Sequence, residues 1–120
     1  MTDDKGDFRQ LKAQQRFLDE IEQGIRFANR ELINKQIPNL SKERILSLAV
    51  SVGRLRARYL EAAFRLGAED HGDLPSTEKL EALARCRDHY EEARLAFEAL
   101  RYAIERGYVD VQELQGQGKP

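Results

Sequence analysis

Cys86 and His89 are the pair of side chains whose types and spacing come nearest to a reactive or metal-binding site. Three residues apart on a helix, a thiolate and an imidazole could share one face and ligate a metal ion. A structural zinc site needs four such ligands, whereas the chain has one cysteine and two histidines. Neither histidine follows a glutamate by three residues, as in di-iron bundles. We therefore predict no metal site and no cofactor.

Nucleophilic catalysis would need a serine or cysteine beside a base and an orienting group. Cys86 falls on the apolar face of its predicted helix, which favours a buried, unreactive thiol. His71 lies in a loop that bears glycine and aspartate, and Ser47 and Ser51 are more simply small polar residues of a helix. The chain has no Gly-x-x-x-x-Gly-Lys phosphate loop. These observations predict a protein that is not an enzyme and has no catalytic residues.

The composition favours a helical fold, so the residues considered above are expected to lie on helices. The 120 residues are 41% hydrophobic and 34% charged, and three prolines and eight glycines provide too few turns for an all-β fold. The net charge of −1 creates no global field for nucleic acid or an anionic membrane. We expect a cytoplasmic protein, because a lone cysteine forms no internal disulfide and the N-terminus lacks an apolar signal-like run. No apolar stretch reaches the 18 residues of a membrane span.

Apolar residues recur at alternating steps of three and four in three segments, which indicates amphipathic helices over about 8–36, 42–66 and 77–106. The three series are Leu11, Leu18, Ile21, Ile25, Ala28 and Leu32; Ile45, Leu48, Val52, Leu55, Tyr59, Ala62 and Leu66; and Leu83, Cys86, Tyr90, Ala93, Phe97, Leu100 and Ile104. The residues predicted to set the helix ends are Asp7, Pro38, Ser41, Gly67, Ser76 or Thr77, and Gly107. Serine, threonine and aspartate cap N-termini, while glycine in a left-handed conformation ends a helix.

Three long helices with short connections and a heptad period favour antiparallel, coiled-coil-like packing. We therefore predict an all-α fold, a single helical domain over residues 1–120. Its architecture is an antiparallel up-down-up three-helix bundle with a short C-terminal extension. Residues 108–120 form the predicted tail, in which a short final turn is possible.

The predicted second helix carries a second apolar series, centred about 150° from the first at 100° per residue. We call it the second stripe: Leu46, Val50, Gly53, Ala57, Leu60 and Phe64. In one interpretation this helix is central in the bundle, and the second stripe is core. In the other, another protein molecule covers the second stripe, most simply in a twofold homodimer.

The polar side of the same helix forms what we call the arginine ridge: Arg44, Arg54, Arg58 and Arg65. The guanidinium groups could bind an acidic partner or phosphate, or form a solvated face that pairs with the acidic third helix. We predict a non-enzymatic interaction module, a homodimeric adaptor, chaperone or regulatory subunit that acts through helix packing. The alternative is a nucleic-acid-binding subunit that uses the arginine ridge. No membrane partner is expected.

Overall fold

The protein is all-α in a computed structural model that describes residues 4–70 and 73–115. Its elements are α1 (Asp4–Gln36), α2 (Lys42–Asp70), α3 (Thr77–Glu105) and the short α4 (Gln112–Gln115). No strand occurs within these two described ranges. The all-α class predicted from composition and periodicity is confirmed.

The chain divides into two compact units. One unit is Leu40–Tyr102, which contains α2 and most of α3. The other unit is Met1–Asn39 together with Ala103–Pro120. The second stripe and the arginine ridge therefore belong to the first unit, and α1 belongs to the second.

Serine side chains cap α2 and α3 at their N-termini. The backbone N–H of Arg44 donates to Ser41 Oγ at 3.3 Å, and the backbone N–H of Lys79 donates to Ser76 Oγ at 3.2 Å. Each bond satisfies one of the N–H groups that the first turn of a helix leaves without a partner. The Ser41 cap is confirmed, and of the two residues predicted for α3, Ser76 rather than Thr77 is the cap.

The N-terminal end of α1 differs from the sequence prediction. The helix begins at Asp4 rather than near residue 8, so Asp7 lies inside the first turns and does not cap them. At the other end α1 stops at Gln36, ahead of Pro38, as expected from the steric clash of proline with a preceding helical residue. Asn39 then adopts a left-handed conformation with φ of 62°, which turns the chain toward α2.

Gly67 does not end α2, and this prediction was wrong. The helix continues to Asp70. The residues after Gly67 are good helix formers such as Ala68, and a glycine inside a helix costs only about 1 kcal/mol. Gly67 would form a left-handed cap only if the helix ended there, and no residue directly after Gly67 forces the helix to end.

Gly107 ends α3 as predicted. It has a φ of 75°, its N–H donates to the Ile104 carbonyl at 3.1 Å, and the Tyr108 N–H donates to the Ala103 carbonyl at 2.8 Å. These two bonds form a Schellman motif, which satisfies carbonyl groups that the last turn would leave without a partner. Glycine adopts this backbone conformation without the steric cost that a Cβ atom brings.

The first apolar series of α2 faces α3. All seven of its residues are half-buried or buried, and Val52 is only 5% exposed. The series on α3 is likewise half-buried throughout. The rings of Tyr59 and Tyr90 stack with centroids 6.1 Å apart, and Ala62 and Leu66 share a groove with Leu83, so α2 and α3 run antiparallel.

The unit that contains α1 has its core elsewhere than the heptad pattern predicted. Its buried residues are Ala103, Val109 and Val111, which follow or end α3. Part of the segment predicted as a tail is therefore packed, and α4 follows it as the short final turn. Residues 116–120 lie outside the described residues.

The apolar series of α1 is exposed, from 40% for Ile25 to 64% for Leu32. The half-buried residues of α1 are instead Glu22, Arg26, Asn29 and Ile33. This edge is centred about 80° from the apolar series at 100° per residue. Within residues 4–70 and 73–115, the core position predicted for the α1 series is therefore not confirmed.

Candidate functional site

The second stripe of α2 is exposed except at Gly53, which is half-buried. Among its large residues the exposed fraction runs from 49% for Leu60 to 79% for Phe64, and Leu46 and Val50 fall between them. The opposite side of α2 is the packed one, where Val52 is buried. Large exposed apolar patches are uncommon on monomeric proteins and are typical of surfaces that contact another molecule.

Small residues occupy the middle of the second stripe. A Cβ atom at Gly53 would meet no atom within 4 Å among the described residues. Ala57, one turn further along, is exposed. Glycine and alanine at these positions leave room for another helix to approach closely.

The arginine ridge lies on the polar side of α2, and Arg44, Arg54, Arg58 and Arg65 are all exposed there. Arg65 is paired with Glu61 of the same helix. Such an exposed pair between successive turns contributes little to stability, about 0.3–0.5 kcal/mol. The ridge therefore keeps its charge at the surface.

Acidic residues of α3 are neutralised within α3 itself. Arg94 contacts Glu91 at 2.7 Å and Glu98 at 2.6 Å. The hydrogen bond from Arg94 lowers the pKa of the Glu91 carboxyl, and the same bond raises the pKa of the Arg94 guanidinium. For these acids the partner lies on their own helix rather than on the arginine ridge.

The residues considered for chemistry are not brought together. Cys86 is half-buried on the packed face of α3, whereas His89 is exposed. Ser51 donates its hydroxyl to the backbone carbonyl of Ser47 at 3.2 Å, so it serves its own helix. His71 lies outside the described residues.

Within residues 4–70 and 73–115, no three His, Cys, Asp or Glu side chains converge as metal ligands would. In the same ranges, no helix combines the length and apolar character that crossing a bilayer requires.

A groove of about 280 Å³ between α2 and α3 has Ala62 and Leu83 in its walls and the cations Arg65 and Lys79 among its lining residues. It lies just below the usual size of small-molecule sites, about 300–1,000 Å³. Beside it, an opening of about 190 Å³ has Tyr59 and Leu83 in its walls. Neither opening contains Cys86 or His89.

No family model matches the chain, and neither the curated proteins nor the solved structures contain a match.

The exposure of the apolar face of α1 was not predicted from the sequence. Its heptad series was visible, and so were the aromatic residues Phe8 and Phe17, now 57% and 61% exposed. The apolar period shows which face of α1 is apolar. It does not show which element, if any, packs against that face.

Proposed function

We propose that the protein is a non-enzymatic helical interaction module, a homodimer that serves as an adaptor, chaperone or regulatory subunit in the cytoplasm. The observation that supports this most is the exposure of the second stripe on the side of α2 away from α3. A row of Leu46, Val50, Leu60 and Phe64 gains on the order of 1.5–3 kcal/mol per fully buried side chain. In the proposed dimer, the surface of a second protein molecule buries these side chains.

The proposal includes the finer architecture. In the assembled protein α1, α2 and α3 follow each other in up-down-up order and pack through heptad positions. The antiparallel α2 and α3 pair supports one half of this arrangement, since its packed residues are the two predicted series. The arginine ridge then orients acidic partners, because exposed charges steer association more than they add affinity.

Light scattering coupled to size exclusion, at low and high micromolar concentration, tests self-association. The wild-type chain is expected at twice its 13.8 kDa. Leu60→Asp is expected to weaken the dimer by on the order of 100-fold or more, because it places an unpaired carboxylate in the interface. Ser51→Asp, a matched change on the polar side of α2, is expected to leave the dimer intact.

Circular dichroism of the same variants separates an interface from a core. Helix content is expected to persist in the Leu60→Asp monomer. If Leu60→Asp loses its helices while Ser51→Asp keeps them, the second stripe is core and the proposal is wrong. A wild-type chain that stays monomeric at every concentration contradicts it as well.

The exposure of Arg44, Arg54, Arg58 and Arg65 along one line favours a second candidate, a nucleic-acid-binding subunit. Backbone phosphates are held by such guanidinium groups, and their binding weakens steeply with salt. Retention of labelled nucleic acid at micromolar protein, lost with added salt and in Arg54→Gln with Arg58→Gln, would support it. Absence of salt-sensitive retention removes this candidate.

A further inference from the structure

The groove of about 280 Å³ between the C-terminal part of α2 and the first turns of α3 has the make-up of a small-ligand site. We call it the cationic groove. It lies entirely within the unit Leu40–Tyr102, and its lining residues are Ala62, Arg65, Leu66, Lys79, Ala82 and Leu83. Ligand sites combine apolar walls with a few polar groups that fix the orientation of the ligand. Four apolar side chains and two cations follow this pattern.

An alanine on each helix leaves the space that forms the cationic groove. Ala62 occupies a position of the first apolar series of α2 where neighbouring positions carry larger residues, such as Tyr59 and Leu66. Ala82 lines the groove from α3, next to Leu83. The four apolar lining residues are all half-buried, so they form a partly enclosed floor. An apolar chain that lies between the two alanines would lose water contact against both helices.

Each helix contributes one cation to the cationic groove. Lys79 of α3 is half-buried, and Arg65 of α2 is exposed. The six residues that line the groove include no acidic side chain. Two cations beside an apolar floor are complementary to a molecule that has one apolar part and one negatively charged group.

The ion pair that Arg65 forms with Glu61 is compatible with a ligand carboxylate. The pair is formed by Nη2 of Arg65 between successive turns of an exposed helix surface, where such pairs contribute little to stability. A guanidinium group has five N–H donors, and the ammonium group of Lys79 has three. The two side chains therefore have enough donors for a ligand carboxylate in addition to Glu61.

The second opening between α2 and α3, of about 190 Å³, has a different charge pattern. Arg87 of α3 is among its lining residues. Glu91 and Glu98 follow Arg87 by four and eleven residues, so they lie on the same side of α3. Both carboxylates bind Arg94 there. Because acidic groups accompany the cations on that side, the cationic groove is the better site for an anion.

We propose that the cationic groove binds a short aliphatic carboxylate, with its chain between Ala62 and Ala82 and its head group on Arg65 and Lys79. The planar guanidinium fork matches a carboxylate through two parallel hydrogen bonds. The lining residues extend over about 6 Å of each helix, which suits a chain of a few methylene groups. No residue of the second stripe lines the groove, so this inference does not rest on the proposed function.

Titration of the full chain with hexanoate, followed by two-dimensional amide NMR spectra, tests the site. Millimolar hexanoate is expected to shift the amide resonances of Ala62, Ala82 and Leu83. The resonances of Leu46 and Val50 on the second stripe are expected to stay in place. From butanoate to hexanoate the affinity is expected to rise by up to about fourfold per methylene group. No shifts, or shifts confined to the second stripe, would overturn the proposal.

The contribution of the charge is measured with hexan-1-ol, which has the same chain and no charge. It is expected to bind about tenfold more weakly, because it lacks charge-assisted hydrogen bonds. Arg65→Gln combined with Lys79→Gln is expected to weaken hexanoate binding by about tenfold and to leave hexan-1-ol binding unchanged.

Arg54→Gln combined with Arg58→Gln is the matched control for the charge. It removes two positive charges from the arginine ridge, and neither residue lines the cationic groove. This variant is expected to bind hexanoate as the wild type does. Equal weakening in the two double variants would show that net charge alone attracts the anion, and it would overturn the site.

Ala82→Leu tests the apolar part of the site, because the larger side chain fills the groove. It is expected to abolish the binding of hexanoate and of hexan-1-ol, whereas Ala57→Leu, which adds the same side chain on the second stripe, leaves both unchanged. Circular dichroism checks that each variant keeps its helices. A folded Ala82→Leu variant that binds hexanoate as the wild type does would overturn the proposal. If Ala82→Leu unfolds, the comparison of the two glutamine double variants decides.

Discussion

Arg26 of α1 donates a hydrogen bond from its Nε atom to the backbone carbonyl of Arg106, at a distance of 3.0 Å. That carbonyl lies just beyond the end of α3, where carbonyl groups lack intrahelical partners and the helix dipole is negative. The guanidinium of Arg106 in turn forms an ion pair with Glu22 of α1, with 2.7 Å between Nη2 and Oε1. One turn further, Arg30 pairs with Asp110 at 2.9 Å. The C-terminal half of α1 is thereby tied to the residues that follow α3.

Gly107 lies at the centre of this contact, and its substitution by alanine is expected to be destabilising. Its φ of 75° costs an L-residue about 1–2 kcal/mol. A Cβ atom would also come within 3.2 Å of Arg26 Cδ. We expect Gly107→Ala to lower the free energy of unfolding by about 1–2 kcal/mol, measured by urea denaturation followed by circular dichroism.

Gly24→Ala is the matched control for this prediction. Gly24 lies within α1, and a Cβ atom there would meet nothing within 4 Å. Alanine is the better helix former, so this change is expected to stabilise the chain by about 0.5–1 kcal/mol. Equal effects of the two substitutions would contradict the role of the left-handed cap.

The serine caps give a second prediction. Ser41→Ala and Ser76→Ala each remove the acceptor of a first-turn N–H, at a cost of about 1 kcal/mol. Ser51→Ala is expected to be neutral or slightly stabilising, because the Ser51 hydroxyl bonds a carbonyl that is already part of the helix. Thermal unfolding of the three variants checks this order, and a Ser51→Ala variant less stable than either cap variant would contradict it.

The sequence was sufficient to predict the α2 and α3 pair. Each series repeats without interruption, and each helix has a serine cap, so local propensity and apolar pattern agree. In the structure both series are half-buried or buried, and the Tyr59 and Tyr90 rings of the two helices stack. The second apolar series of α2 followed from the same pattern, but whether it is core or surface could not be predicted, because the period of a pattern gives a direction on the helix and not the element that lies there.

The packing of α1 could not be predicted for a related reason. Its apolar series indicated a core face, whereas its half-buried edge is formed by Glu22, Arg26 and Asn29. Arg26 and Glu22 form side-chain hydrogen bonds with Arg106, about 80 residues away, whereas the Asn29 amide donates to the Ile25 carbonyl of the same helix. Heptad periodicity records apolar residues only, so long-range polar contacts of this kind leave no trace in it. The prediction that Gly67 ends α2 was wrong for a similar reason. A glycine only permits a helix to end, and the residues after it determine whether the helix continues.

Arg56 and Tyr90 provide a third prediction within the α2 and α3 pair. Arg56 Nε donates to the Tyr90 hydroxyl at 3.3 Å, and its guanidinium carbon lies 5.3 Å from the ring centroid. We expect a double-mutant cycle with Arg56→Gln and Tyr90→Leu to give a coupling of about 0.5–1 kcal/mol. With Tyr90→Phe in place of Tyr90→Leu, the cycle retains the contact over the ring and the coupling shrinks without vanishing.

Arg58 supplies the control for that cycle. It is exposed on the arginine ridge, on another side of α2. Arg58→Gln combined with Tyr90→Leu is expected to show additive losses, as distant sites do. A coupling for Arg58 as large as that for Arg56 would mean that the effect comes from net charge and not from contact.

The pH dependence of Glu91 follows from its pairing with Arg94. The hydrogen bond from Arg94 lowers the pKa of Glu91 below its ordinary 4.5, so the folded state holds the carboxylate in its charged form. A lowered pKa contributes stability above the unfolded pKa, and this contribution is lost as the pH falls through the folded pKa. We expect the carboxyl resonance of Glu91 in an NMR titration to move at a lower pH than in Arg94→Gln. Glu98→Gln, which leaves the bond to Glu91 in place, is expected to keep the pKa of Glu91 low. An unchanged titration of Glu91 in Arg94→Gln would show that Arg94 is not the cause.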